Sequence, residues 1–248
     1  MRSERRFSTR IYAAVLAGVA CAALPATAQL GGIGKQLEGM AGNSSLSDSK
    51  IASGLKQALQ IGADKAVSLT GRPGGYSGNP AIRIGLPGNM HMLEDGLKAM
   101  GYGPKLDAFT ASMNQAAESA APAAKDIFAK AITSMSFEDA RKILKGGDTS
   151  ATDYFKQKTS AQLTAAFRPA VEKAMSANSV TKQYDELTSK AQSMPFMKSQ
   201  SLDINSYVVS KALDGLFYTL GQQEKQIRTN PAARTTSLLK DVFGHAQP

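Results

Sequence analysis

The chain has 248 residues, a formal net charge of +9, two histidines, one cysteine and no tryptophan. Two histidines cannot supply a His-rich zinc site or a Glu-x-x-His di-iron bundle, and a lone cysteine excludes an intrachain disulfide. No phosphate-binding loop, dinucleotide fingerprint or G-x-S-x-G elbow is present, so neither a metal nor a cofactor is expected. The few aromatic residues are not interleaved with basic runs, so nucleic acid is not an expected partner.

The first 28 residues have the pattern of a secretory signal peptide. Four arginines lie within the first ten residues, an uncharged apolar run follows at 11–24, and the tripeptide 26–28 has small residues at both positions that a signal peptidase reads. The apolar run has 14 residues, fewer than the roughly 20 that a retained membrane anchor needs. We therefore expect cleavage after Ala28 and a periplasmic or secreted protein.

A second interpretation of the N-terminus depends on Cys21, the only cysteine. The tetrapeptide 18–21 loosely resembles a lipoprotein box, in which the chain is cut before the cysteine and the cysteine carries the lipid. Gly18 stands where such boxes usually have a large aliphatic residue. This alternative predicts a lipid-anchored structural protein of the cell envelope.

The exported chain is expected to remain basic. Residues 1–28 carry four arginines and one glutamate, so their removal lowers the net charge from +9 to +6. The remaining charge is spread along the chain without a Lys/Arg block. Such a surface favours an anionic small molecule, an envelope lipid or an acidic envelope protein as partner, and an inert basic surface is the alternative.

The composition of the remaining chain, rich in alanine and free of tryptophan, predicts closely packed helices with thin side chains between them. We expect an all-α fold, with a flexible lead-in at 29–44, a single compact domain of seven or eight helices at 45–244, and a tail at 245–248. The first helix is predicted to end near residue 71. From there to residue 89, repeated glycines and prolines exclude a helix and predict a loop, which we call the Gly/Pro loop. Alternation at 81–84 predicts a short strand in it, which allows a short β-hairpin.

The periodicity predicts further helices, with approximate bounds of 88–100, 106–133, 137–145, 151–178, 180–193, 205–229 and 231–243. Pro122 and Pro169 are predicted to interrupt the two helices that contain them. Ser136 and Asp139 resemble a capping box. Asn205 is the predicted cap of the last long helix.

The Gly/Pro loop is the first candidate site. It combines free backbone N–H groups with Arg72 and Arg83, and such parts make an anion cradle. The alternative is an ordered structural loop that packs on helices.

Two pairs of polar residues on helices are the other candidates. Asn114 and Glu118 lie four apart, so they share a helix face, where they could hold a ligand or tie parts of the fold together by hydrogen bonds. Glu224 falls on the apolar stripe of the last long helix, where a carboxylate needs a partner, and Arg228 follows one turn later. That second pair could form part of a catalytic site or fix the helix end as an ion pair.

Several segments together resemble a known family. They are NPAIRIGLP (79–87), MNQAAESAAP (113–122), FEDARKILKG (137–146), ALDGLF (212–217) and EKQIRTNP (224–231). In this order they are similar to the bacterial exported domain-of-unknown-function family 4197, from about residue 46 to residue 244. The resemblance implies an exported, helical protein, and it implies no reaction.

The leading hypothesis is a non-catalytic helical binding or interaction module in the periplasm, because no catalytic set is complete. Its ligand would lie where the Gly/Pro loop meets the helices that carry Glu118 and Glu224. The alternative is a hydrolase that uses carboxylates and arginine. It requires Glu118, Glu224 and Arg228 to converge on one open pocket, and it would lose its best site if the last two were paired and sealed from solvent.

Overall fold

The computed structural model of the chain describes residues 48–88, 94–177, 182, 184–186, 189 and 203–244. The predicted signal peptide with Cys21, the lead-in and the tail lie outside these residues, as does most of the helix predicted at 180–193. The described part is 82% helical and contains no β-strand, which confirms the predicted all-α fold class. Eight α-helices have both ends within it: α1 (Asp48–Gly71), α2 (Glu94–Ala99), α3 (Gly103–Ala120), α4 (Ala124–Thr133), α5 (Phe137–Lys145), α6 (Ser150–Ala177), α7 (Ile204–Thr229) and α8 (Ser237–Gly244). All eight belong to one compact unit.

Alanine allows the central helices to approach closely. Helix α7 packs on α6, α1 and α3, and α3 also packs on α6. Five alanines from α3 to the start of α4 have no exposed surface: Ala116, Ala117, Ala120, Ala121 and Ala124. Aromatic rings fill the space beside them, with the Phe128 and Phe155 rings edge to face at 5.0 Å between centroids. This packing is the arrangement that the alanine-rich composition predicted.

The two prolines inside predicted helices have different effects. Pro122 lies in a 3₁₀ turn, Ala121–Ala123, which separates α3 from α4, so the predicted interruption there is confirmed. The predicted interruption at Pro169 is wrong, because α6 continues from Ser150 to Ala177. Phe167 and Val171 on either side of Pro169 are fully buried, and this packing offsets the hydrogen bond that proline cannot make.

The helix ends follow local capping with one correction. Ser136 and Asp139 form the predicted capping box, with reciprocal hydrogen bonds of 3.1 Å at the start of α5. The cap of α7 is Asp203 and not Asn205, because the Asp203 carboxylate accepts hydrogen bonds from the amides of Asn205 and Ser206. Asn205 lies in the first turn.

The segment after α7 also differs from its prediction. A helix was expected to begin at Pro231, but a 3₁₀ turn spans Pro231–Ala233, and α8 begins only at Ser237. Asn230 caps the 3₁₀ turn through its side-chain oxygen.

The Gly/Pro loop contains turns in place of the predicted strand and hairpin. The amides of Ile82 and Arg83 both donate to the Asn79 carbonyl, at 3.1 and 2.9 Å, which curls the chain instead of extending it. The predicted strand at 81–84 is therefore wrong. Only Ile84 has a strand-like pairing, and its partner is the side chain of Asn114.

The Gly/Pro loop lies against α7 at Gly215. A Cβ atom at Gly215 would lie 2.5 Å from Cε1 of Tyr76 and 3.1 Å from Cβ of Ile82. Both of these loop residues are buried. Glycine is therefore required here, because any side chain would push the loop away from the helix.

Gly215→Ala is expected to lower the free energy of unfolding by about 1–3 kcal/mol, because the added methyl group overpacks a rigid contact. Urea unfolding followed by circular dichroism measures the loss. Gly96→Ala in α2 is the matched control, since its Cβ would have nothing within 4 Å. The control should be neutral or slightly stabilising, and an equal loss in both variants would contradict the contact.

A helix that crosses a membrane must be both long enough and apolar enough. In the part of the chain that the structure describes, no helix meets both conditions.

Candidate functional site

The side chain of Asn114 forms hydrogen bonds with the backbone of one residue of the Gly/Pro loop, Ile84. Its side chain is fully buried, and its Oδ1 accepts a hydrogen bond of 2.9 Å from the Ile84 amide. Its Nδ2 donates to the Ile84 carbonyl and to the Thr110 carbonyl, both at 2.8 Å. The amide group thus satisfies both backbone groups of Ile84, as a neighbouring strand would.

The carboxylate of Glu118 binds backbone N–H groups of the same loop. Its Oε1 accepts hydrogen bonds of 3.1 Å from the amides of Tyr76 and Ser77 and from the Ser77 hydroxyl, and its Oε2 accepts one of 3.2 Å from Gly74. The carboxylate is buried, with 7% of the residue exposed. The loop therefore does form a cradle of N–H groups, and the anion in it is a side chain of the protein itself.

Tyr76 binds the other side of the loop to α7. Its ring is fully buried, and its hydroxyl donates a hydrogen bond of 2.6 Å to the Ala212 carbonyl of α7. Burial raises the pKa of the Tyr76 phenol well above its usual range, and the nearby Glu118 carboxylate raises it further. The loop is thus held between α3 and α7 by buried polar contacts.

Glu224 binds the N-terminus of α6. Its Oε1 and Oε2 accept hydrogen bonds of 2.9 Å from the amides of Ala151 and Thr152, and Oε2 also accepts one of 2.9 Å from the Thr152 hydroxyl. These amides are among those that a helix leaves without an internal partner. A carboxylate at this position also interacts favourably with the helix dipole.

Arg228 links Glu224 to the C-terminus of α5. Its Nε and Nη2 donate to Oε1 of Glu224 at 3.0 and 2.9 Å. Nη2 also donates to the Ile143 carbonyl at 2.7 Å, and Nη1 donates to the Leu144 carbonyl at 3.4 Å. Only 12% of the Arg228 side chain and 6% of the Glu224 side chain are exposed. The ion pair therefore joins two helix ends, with each charge at the end that favours it.

The four polar residues Asn114, Glu118, Glu224 and Arg228 form two separate clusters. Asn114 and Glu118 bind the Gly/Pro loop, whereas Glu224 and Arg228 bind the ends of α5 and α6. The apolar cavity next to Glu224 has a volume of only about 20 Å³, enough for a single water molecule. The hydrolase alternative required these residues to converge on one open pocket, and this arrangement removes the site on which it depended.

Arg72 and Arg83 lie on the outside of the same loop. Both are exposed, and neither has an ion-pair partner among the described residues. Arg72 lines a cleft of about 260 Å³ between the loop and Thr219 of α7. Arg83 lines a second cleft of about 280 Å³ together with Lys211 and Tyr218 of α7. Ile82 lines both clefts, so they adjoin.

Lys211, Asp214 and Tyr218 form an exposed stripe along α7. A third cleft, of about 410 Å³, lies on the other side of this stripe, between α7 and α6. Lys156 and Arg168 of α6 line it, with Phe217 of α7. The ammonium group of Lys156 lies 5.8 Å from the centroid of the Phe217 ring. Asp214 lines both this cleft and the cleft of Arg83, so the two open on either side of one helix.

Sequence reasoning did not single out Lys156, Arg168, Lys211 or Tyr218. Lys156 lies 61 residues before Phe217, and Arg168 lies 38 residues before Ser206. No local signal predicts these approaches. The position of Lys211 and Tyr218 on the exposed face of α7 could have been predicted, because both lie off the apolar stripe that predicted this helix. The ligand-binding roles of Arg72, Arg83, Asn114, Glu118, Glu224 and Arg228 stay predictions. Among the described residues, no group of three or more His, Cys, Asp or Glu side chains could hold a metal ion.

Comparison with known proteins identifies the family to which the chain belongs. No curated protein and no solved structure matches the chain at a significant level. The profile of a family described as "Protein of unknown function (DUF4197)" matches residues 45–244, which include the Gly/Pro loop, both polar clusters and the clefts of α7. The match confirms the resemblance seen in the sequence. The chain therefore belongs to the DUF4197 family.

Proposed function

We propose that this protein is an exported, non-catalytic module of the cell envelope that binds an anionic ligand in the two clefts between the Gly/Pro loop and α7. The observation that carries the proposal is the position of Arg72 and Arg83. Each is an exposed guanidinium group in a cleft of ligand size, and neither has a carboxylate partner among the described residues. Guanidinium groups bind carboxylate and phosphate through paired hydrogen bonds.

The internal contacts of the loop support this proposal. Glu118, Asn114 and Tyr76 hold the loop backbone in one conformation. The cations on its outer side are therefore presented from a fixed backbone, and less entropy is lost when a ligand binds. A carboxylate that already fills the inner cradle also leaves the outer clefts as the place for an external anion.

Export is the second part of the proposal. It is supported by the basic start, the short apolar run and the small residues before Gln29. Lipidation at Cys21 is the competing alternative. Native and denatured mass spectra of the protein purified gently from its own envelope address both parts: a chain that starts at Gln29 eliminates lipidation, and an added mass in the native spectrum identifies a ligand.

Arg72→Gln/Arg83→Gln is expected to abolish the added mass, because it removes both unpaired guanidinium groups from the clefts. Lys98→Gln/Lys142→Gln is the matched control: it removes the same charge at exposed lysines already paired with Glu94 and Glu138. The control should retain the ligand. Retention of the ligand in both variants would contradict the assigned clefts, and a hydrolytic turnover that is lost in Glu118→Gln would contradict a non-catalytic module.

A further inference from the structure

The exposed stripe of α7 and the clefts on either side of it form one basic surface. We call it the basic face and define it by five cations and one aromatic residue: Arg72, Arg83, Lys156, Arg168, Lys211 and Tyr218. Among the described residues, Asp214 is the one carboxylate that lines any of the three clefts, and it lies 3.6 Å from the ammonium group of Lys211. The face therefore has an excess of positive charge.

Three exposed lysines outside the basic face are closely paired with glutamates. Lys98, Lys105 and Lys142 each lie within 2.8 Å of a glutamate oxygen, so their charges are locally neutralised. On the basic face, Arg168 approaches carboxylates only at 3.8 and 3.9 Å, and Arg72 and Arg83 have no such partner among the described residues. The clefts are thus lined by arginines whose charges are less fully neutralised than those of Lys98, Lys105 and Lys142.

The arrangement of the clefts selects among anionic partners. They open on opposite sides of one helix, with Asp214 at the boundary. A small anion would fill only one cleft, and an extended peptide would have to cross the exposed stripe of α7 between them. A surface built of many separate anionic headgroups can offer one group to each cleft at the same time, and such multivalent contacts reinforce one another.

Tyr218 adds a second feature of a membrane-facing surface. It lies on the stripe between the clefts and is 47% exposed, in contrast to the buried Phe217 beside it. Tyrosine is enriched at membrane interfaces, because its ring is apolar and its hydroxyl remains in contact with water.

Resting on the proposed function, we infer that the basic face docks on an anionic phospholipid surface, with lipid phosphates in its clefts and Tyr218 at the level of the headgroups. The protein then lies on the membrane without crossing it. Each basic residue near an anionic membrane surface strengthens the attraction by an amount that corresponds to roughly a five-fold change in partitioning.

Sedimentation of the exported protein with lipid vesicles tests the docking. Binding is expected to vesicles of phosphatidylglycerol and phosphatidylcholine, to weaken steeply with salt, and to be absent from vesicles of phosphatidylcholine alone. The triple variant Arg72→Gln/Arg83→Gln/Lys211→Gln should lose roughly a hundred-fold in partitioning. Lys98→Gln/Lys142→Gln/Lys225→Gln changes the net charge equally away from the clefts and should retain most of the binding. Equal losses in both variants would overturn the assignment to this face.

Tyr218→Trp provides an independent measurement, because the natural chain has no tryptophan and the variant then has a single reporter. Its fluorescence is expected to shift to the blue with phosphatidylglycerol vesicles and to stay unchanged with phosphatidylcholine vesicles or soluble glycerol phosphate. An unchanged emission during vesicle binding would overturn the placement of Tyr218 at the membrane.

The outcomes separate this inference from the proposed function. If soluble glycerol phosphate binds and Arg72→Gln/Arg83→Gln abolishes that binding, while no vesicle binds, the membrane inference is overturned and the anion-binding module remains. If an acidic polyglutamate peptide binds through the basic face and vesicles do not, the partner is an acidic protein segment, and the membrane inference is again overturned. If the ligand, vesicles and soluble anions all fail to bind, both proposals are overturned.

Discussion

Replacing Glu224 with alanine is expected to lower the free energy of unfolding by about 3–5 kcal/mol, because it breaks a buried ion pair by removing one partner. The loss leaves Arg228 without its counter-ion and leaves the amides of Ala151 and Thr152 without their acceptor. These groups are buried, so bulk water does not replace the carboxylate easily.

Urea unfolding of Glu224→Ala, Arg228→Ala and the double variant measures the contribution of the pair. Arg228→Ala should cost less, since Glu224 keeps three donors from α6, and the two single losses should not add in the double variant. Glu138→Gln is the control, because Glu138 forms an exposed pair of the same i,i+4 spacing with Lys142. If Glu224→Ala changed the unfolding midpoint no more than this control, the ion pair would not hold the helix ends together.

Glu118→Ala is expected to lower the free energy of unfolding by about 2–4 kcal/mol, because it removes the acceptor of four hydrogen bonds and leaves donors of the Gly/Pro loop unsatisfied. The Tyr76 residue is fully buried, so its amide has no access to water in place of Glu118. Hydrogen exchange should accelerate at Gly74, Tyr76 and Ser77, while exchange in the middle of α6 should change far less.

Glu118→Gln separates the charge from the geometry. Its carbonyl can still accept from Tyr76 and Ser77, but its NH₂ group then faces the Gly74 amide, donor against donor. The expected loss is therefore smaller than that of Glu118→Ala. Uniform acceleration of exchange across the whole domain in either variant would show that the loop does not loosen by itself.

The parts of the fold that sequence predicted well are those determined by neighbouring residues. Ser136 and Asp139 form their capping box within a single turn, and Pro122 interrupts a helix by its own ring. Pro169 has the same local effect, but the burial of Phe167 and Val171 overrides it. The error at 81–84 has a similar cause, since alternation predicted a strand where the turn at Asn79 bends the chain.

The site was predictable in its residues but not in their partners. Glu224 was identified because a carboxylate on an apolar stripe needs compensation, and Arg228 was the correct partner one turn away. The amides that complete the cluster, Ala151 and Thr152, lie more than 70 residues earlier. Likewise, the cradle for Glu118 lies more than 40 residues before it, and no pattern in one segment indicates such a pairing.

Helices α1 and α8 lie side by side, and this has a consequence for the order in which the protein is made. The Thr236 hydroxyl donates a hydrogen bond to the side chain of Gln57, 179 residues earlier in the chain. A Cβ atom at Gly54 would lie 2.5 Å from Cγ2 of Val242. Because a chain emerges from the ribosome in sequence order, the part of α1 that packs on α8 stays uncovered until the last turns are synthesised. Contacts this distant in sequence also form slowly.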